Sequence, residues 1–335
     1  MIRIYTPPPL ESLPPHPLLA FRFGAQVWRG IFTEGLPQNF FEHEAQFEDG
    51  AKEADIILLP HNFNKPDAAQ HAYITHWADE AQRFGKILCL FAFADGNDRE
   101  HFDPRALILR LSTYRNTLGP RDIVVPTTAQ DFGDIEPRRK TPLPTVSFCG
   151  QAGYKTAVQW VKYYIKVLRD TPHPERRLGV YWRRRMLDAC RRSSVVRANF
   201  IVRRSFSGAS RTIELNPAQA RKEFVDNLRD SDFVIAPKGD GNYSNRFLEA
   251  LSMGRIPVVP DTDIVLPLEK EIDYSKIMVR VPMRDVVRTP EYIRDFYNSL
   301  SDDEWVARQR LAREVFTKYL RQDSFFRNFF AQKHG

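Results

Sequence analysis

Cysteine is nearly missing from this sequence. Cys89, Cys149 and Cys190 are the whole complement in 335 residues. Two of them sit in apolar strand-like or helix-like surroundings, so a disulfide framework is not expected and a reducing compartment fits. Long hydrophobic runs are missing too: no stretch reaches the roughly 18 apolar residues that a membrane span needs. The N-terminus, MIRIYTPPPLESLPP, lacks a signal peptide's apolar centre, so export by that route is not expected and a cytoplasmic protein is. The eight histidines have no metal-binding spacing. No P-loop occurs, and the partial dinucleotide fingerprint that begins Gly239-Asp240-Gly241 has Ser244 in place of its third glycine.

The length suits two domains, and 42% hydrophobic with 27% charged residues is the composition of a soluble globular protein. A net charge of +7 favours an anionic partner, a class that includes nucleotides, acidic glycans, membrane surfaces and nucleic acid. Much of the excess lies between Arg176 and Arg211. The arginines of VYWRRRMLDACRRSS, with Arg184 and Arg191 on one helical face, come without interleaved aromatics or a groove-reading motif. They read as a solvated basic helix, or as a contact for an acidic acceptor or a membrane surface, and no nucleic-acid partner is expected.

Along the chain, strand and helix patterns alternate, the signature of an α/β protein with parallel sheets. Ile2 to Tyr5 reads as a short strand before a proline-rich stretch, and FRFGAQVWRGIFTEG as irregular. ADIILLPH is a buried strand ending at His61, Ala68 to Phe84 a helix stopped by Gly85, and Lys86 to Phe93 a further strand. Leu107 to Leu111 and Ile123 to Pro126 follow. Residues 135–145, IEPRRKTPLPT, have linker composition. Val146 to Gly150 opens the second half, with helices over 156–169, 178–191 and 218–228 and strands at 198–203 and 277–281. The expected divisions are 1–140, 141–305 and a helical segment 306–335 that packs back on the first domain.

The stretch SDFVIAPKGDGNYSNRFLEALSMGRIPVVPDTD, residues 231–263, is the chemical centre. It reads as strand, loop, helix, strand, with Ser244 or Asn245 capping the helix and Gly254 ending it. A helix N-terminus beyond a strand's carboxyl end suits an anion. Arg246 adds a guanidinium fork for phosphate oxygens. Glu249, at i+3, can share that face and accept hydrogen bonds from hydroxyls. The alternative is an intrahelical ion pair on a solvated surface.

SDFVIAPKGDG, then NRFLEALSMGRIPVV, then Asp261 resembles the core motif of the exostosin-type glycosyltransferases. The resemblance implies a GT-B architecture, two Rossmann-like doubly wound domains facing across a cleft with the donor in the C-terminal one. It implies transfer of a sugar, hexosyl or pentosyl, from a nucleotide diphosphate donor such as a UDP-sugar to a glycan or other hydroxyl acceptor, acidic in one reading, with inversion. Arg246 would hold the diphosphate and Glu249 the ribose, with Lys238, Gly239, Ser244 and Asn245 beside the phosphates and Asp261 bordering the sugar or ribose. Val234 and Arg255 stand where lumenal relatives often carry cysteine.

Asp261-Thr262-Asp263 has the Asp-x-Asp form that binds a divalent metal in another glycosyltransferase class. The motif match instead assigns it to the loop bordering the donor, so no cofactor and no metal are expected. The general base is sought on the first domain, among Asp95, Asp134 and His61. His61, at a strand's end, and His101, in a polar loop, are candidates to face the cleft, with a satisfied surface or boundary histidine the favoured reading of each. The rival reading is a non-catalytic protein that binds nucleotide-sugars or anionic polymers.

Overall fold

The computed structural model describes residues 2–25, 38–95, 102–205 and 216–334; His101 and most of the irregular stretch of 21–35 lie outside them. Two all-parallel sheets organise the chain. The first contains β1 (Arg3–Tyr5), β2 (Gln46–Phe47), β3 (Ile56–Asn62), β4 (Ile87–Ala92), β5 (Leu107–Arg110) and β6 (Asp122–Val124), in the order β2-β1-β3-β4-β5-β6. The second contains β7 (Thr145–Gln151), β8 (Arg197–Arg203), β9 (Phe233–Ile235), β10 (Ile256–Asp261) and β11 (Val279–Pro282), in the order β11-β10-β9-β7-β8. Each order reverses direction partway through the sheet, as in a doubly wound fold. The chain is an α/β protein of GT-B architecture.

The central strands are apolar along nearly their whole length because helices cover both faces. β3 and β7 are buried from Ile56 to His61 and from Thr145 to Gly150. The helices are α1 (Phe40–His43), α2 (Ala68–Phe84), α3 (Ala157–Arg169), α4 (Gly179–Arg192), α5 (Pro217–Arg229), α6 (Asn245–Ser252), α7 (Thr289–Asn298), α8 (Asp302–Val315) and α9 (Gln322–His334). Local chemistry sets their ends. Asp67 accepts from the Gln70 N–H at 2.9 Å to start α2, and Gly85, at φ 63°, closes it. Thr156 and Gln159 form a reciprocal capping box at α3.

The linker is fastened to the second domain rather than loose. The Arg138 guanidinium pairs with the buried Asp232 at 3.0 Å, and Lys140 donates to the Tyr297 and Leu300 carbonyls at 2.9 and 2.6 Å. Arg255, fully buried, donates to Gln309 at 2.9 Å and to the Arg229 carbonyl at 3.0 Å. Val234 packs with Leu228, Ala250 and Met253. These are the two positions singled out for their lack of cysteine; one is core, the other a buried polar clamp.

The return to the first domain comes after residue 320. Trp305, Ala312, Val315, Phe316 and Leu320 belong to the second core, so 306–320 completes that domain. Only α9 crosses. Phe325, Phe326, Phe329 and Phe330 pack with Ile4, Phe40, Phe41 and Cys89 in the first core.

Candidate functional site

The carboxyl ends of both sheets face one another, and between them lies a cavity of about 630 Å³, within the range of small-molecule sites. The second domain supplies the Cys149-to-Gln151 end of β7, the start of α4, the Gly239 and Asp240 loop and the first turns of α6. Asp95, Thr128 and Gln130 approach from the chain that follows β4 and β6.

Arg246 sits in the first turn of α6 and turns inward. Its Nη2 donates to the Cys149 carbonyl at 2.9 Å, and its Cζ lies 4.5 Å from the Phe148 ring centroid. Gly150 permits this: a Cβ there would meet Arg246 Nη2 at 2.8 Å, and the backbone has φ 150°. Glu249 follows one turn later and lies 3.5 Å from Arg221. Burial raises its carboxyl pKa, while Arg221 and Arg246 oppose the rise.

Arg183 of α4 joins them. It donates to the Gln151 carbonyl at 3.1 Å and to the Lys238 carbonyl at 3.3 Å. Burial, and then repulsion from Arg246, bring its pKa down to about 10. Among the described residues, neither the buried Nε of Arg183 nor that of Arg246 has an acceptor. Two guanidinium groups that repel one another on one cavity suit an anion. The residues that open α4 and α6 line the same space, and a helix N-terminus favours negative charge.

The structure brings together Arg246, Glu249, Gly239, Ser244, Asn245 and Asp95 on this cavity. It places the remaining predicted residues elsewhere. Lys238 is buried at the domain interface, where its Nζ donates to Tyr114 Oη at 2.8 Å and the Glu175 carbonyl at 3.0 Å. Asp261 pairs with Arg280 at 3.3 Å outside the cavity, and Asp263 accepts from the Asn116 N–H at 3.1 Å. The Asp-x-Asp carboxylates are thus occupied by protein partners. No group of three or more potential metal ligands occurs among the described residues.

Of the three base candidates, two are displaced. Asp134 is fully exposed, 3.5 Å from Arg313, and lines a separate depression beside α8. His61 is completely buried in the first domain. Its Nε2 accepts from the Leu10 N–H at 2.7 Å and its Nδ1 donates to the Pro14 carbonyl at 3.0 Å, pinning the proline-rich segment.

Beyond the geometry, the sequence profile described as the exostosin GT47 domain matches residues 167–296. Residues 167–296 are thus similar in sequence to exostosin-type glycosyltransferase domains. An exostosin-1 homolog of Caenorhabditis elegans is 33% identical over 106 residues, 32% of this chain and 27% of that protein. A probable glucuronosyltransferase of Oryza sativa subsp. japonica is 33% identical over 88 residues, 26% of this chain and 20% of that protein. The chain thus matches about a quarter of the length of these relatives. Among solved structures, the lipopolysaccharide outer core galactosyltransferase WaaB aligns over 99% of this chain and all of its own, at 12% identity and TM-score 0.44. A Rickettsia africae glycosyltransferase aligns over 99% and 97%, at 9% identity and TM-score 0.38.

Sequence reasoning missed Arg183, Arg221 and Gln130 as members of this cavity. Arg183 was hidden by its neighbours in Trp182-Arg183-Arg184-Arg185. One signal was available: Gly179 opens α4, and Arg183 stands one turn inside it, much as Arg246 stands at the opening of α6. Two other arginines of this helix lie over aromatic rings, Arg184 on Trp160 at 4.5 Å and Arg191 on Phe200 at 5.6 Å. Those aromatic partners come from elsewhere in the sequence, so no local pattern announced them.

Proposed function

We propose that this protein transfers a sugar from a nucleotide diphosphate donor to a hydroxyl acceptor by an inverting, metal-independent reaction. The observation that carries the proposal is the convergence of Arg246 and Arg183 on one cavity at the mouth of two helix N-termini. A diphosphate fits that arrangement. Glu249 lies one turn deeper, where the ribose hydroxyls of a UDP-sugar would find an acceptor.

In this reading Asp95 is the general base. Its carboxylate lies on the first-domain side of the cavity and accepts from Tyr243 Oη at 2.8 Å. The acceptor hydroxyl gives its proton to Asp95 as its oxygen attacks the anomeric carbon. The bond from that carbon to the diphosphate oxygen breaks, and Arg246, Arg183 and the helix termini take up the charge on the departing nucleoside diphosphate. Cationic stabilisation of this kind stands in for a metal. A glycan or other acceptor enters from the first-domain side, and an acidic one suits the positive net charge.

Three buried free thiols support a reducing compartment, and we assign the protein to the cytoplasm. Cell fractionation tests this, with recovery in a lumenal fraction as the contrary result. The test of function is release of nucleoside diphosphate by the purified protein across a panel of nucleotide-sugars and hydroxyl acceptors. Acceptor-dependent release from a hexosyl or pentosyl donor is expected. Tight donor binding with no turnover would instead identify a non-catalytic binder.

A further inference from the structure

Helix α3 turns an apolar side away from the protein. Tyr163 is its one buried side chain. Val158, Val161, Tyr164, Ile165 and Leu168 are each more than half exposed, Leu168 at 73%. Steps of three, four and three residues align Val158, Val161, Ile165 and Leu168 in a stripe about 15 Å long. Folded proteins scatter exposed aliphatic side chains singly; a continuous stripe marks a contact.

The charge around the stripe says what it contacts. Lys162 and Lys166 run along one border, Lys155 precedes the helix, and no aspartate or glutamate occurs from Tyr154 to Arg169. Arg169 is paired with the neighbouring Asp170 at 3.1 Å. Trp160 and Tyr164 form the opposite border, and Arg184 stacks on Trp160, which extends the basic rim onto α4. Aliphatic centre, aromatic edge and lysines of one sign are the composition of a helix that lies flat at a lipid–water boundary. Protein interfaces, by contrast, are depleted of lysine.

We propose that α3 seats this protein on an anionic lipid bilayer, the aliphatic stripe entering the headgroup region and the lysines meeting lipid phosphates. This surface differs from the one the sequence suggested, which lay on the arginines of α4. It does not depend on the sugar-transfer reading. Tyr154, at the entrance to α3, lines the cavity between the domains, so the bilayer lies beside the donor site.

The test is sedimentation of the full chain with vesicles of phosphatidylcholine mixed with phosphatidylglycerol, and with vesicles of phosphatidylcholine alone. Binding to the mixed vesicles, weaker in high salt and minor on the neutral ones, is expected. The Val161→Glu/Ile165→Glu pair should lower the bound fraction about tenfold or more with nucleotide-sugar binding unchanged. Lys162→Ala/Lys166→Ala should remove the preference for anionic lipid. The proposal is overturned if wild-type protein stays in the supernatant at low salt, or if the glutamate pair binds vesicles like wild type. A dimer that the glutamate pair dissociates, with no vesicle binding by wild type, would assign the stripe to a second copy of the chain instead.

Discussion

Tyr243 of the second domain donates its phenol to Asp95 of the first at 2.8 Å across the cavity. Gly241 makes the approach possible, since a Cβ there would lie 3.1 Å from the Asp95 backbone. The bond both orients a carboxylate and bridges the two domains. Asp95→Asn should lower kcat by about 100-fold or more with donor affinity preserved. Tyr243→Phe, which keeps the carboxylate, should cost less than about tenfold. Steady-state kinetics with parallel donor titrations separate the two outcomes, and equal turnover in Asp95→Asn would remove this residue from the base role.

Arg246→Ala should lower kcat/KM by about 100-fold or more and abolish stabilisation of the protein by UDP in thermal melts. Arg246→Lys should not restore it, because an ammonium cannot span the Cys149 carbonyl and a phosphate as a fork does. Unchanged turnover in Arg246→Ala would overturn the donor-site reading.

Gly179 gives a stability prediction. A Cβ at this position would lie 2.1 Å from the Lys238 carbonyl oxygen and 2.7 Å from that of Gly239. Both are backbone atoms, so the loop itself must move. Gly179→Ala should destabilise the fold by about 1–3 kcal/mol and weaken UDP binding, as seen by denaturant titration and calorimetry.

Two buried histidines make the first domain acid-sensitive. His16 stacks on Phe91 at 3.9 Å, and burial holds its pKa down at about 3. His61 is shifted the same way by burial, partly opposed by its bond to the Pro14 carbonyl. Above pH 6.5 each is neutral folded and unfolded, so stability is fully present there. As pH falls from 6.5 towards 3 the unfolded chain takes up protons first, and stability is lost by roughly 3 kcal/mol at pH 4.5 from His16 alone. Melting curves from pH 7 to 4 should show this loss, and His16→Asn should flatten it.

Excess EDTA should leave turnover unchanged, since Asp261 and Asp263 are engaged by Arg280 and by the Asn116 N–H. Strict manganese dependence, lost in Asp263→Asn, would restore the Asp-x-Asp as a metal ligand set.

Elements governed by neighbours in sequence were legible. The span of α2, its Gly85 stop, the buried strands β3 and β7 and the α6 turn bearing Arg246 all follow from periodicity and caps. β2, two residues long at Gln46–Phe47, carries no pattern and exists through its pairing with β1. The fate of Lys238 was illegible for a different reason. A lysine beside Gly-Asp-Gly resembles a phosphate ligand, yet its partners, Tyr114 and Glu175, are remote in sequence. His61 likewise lies near a strand's carboxyl end, but Leu10 and Pro14, much earlier in the chain, take its two nitrogens.

The four phenylalanines that α9 inserts among Ile4, Phe41 and Cys89 set an order for synthesis. The first domain cannot seal its interior while it emerges from the ribosome. It must wait, with an apolar gap open, until the whole second domain and α9 have been translated. Chaperone demand should therefore fall on the first half of the chain, and a stop codon just before Gln322 would leave that half the aggregating part.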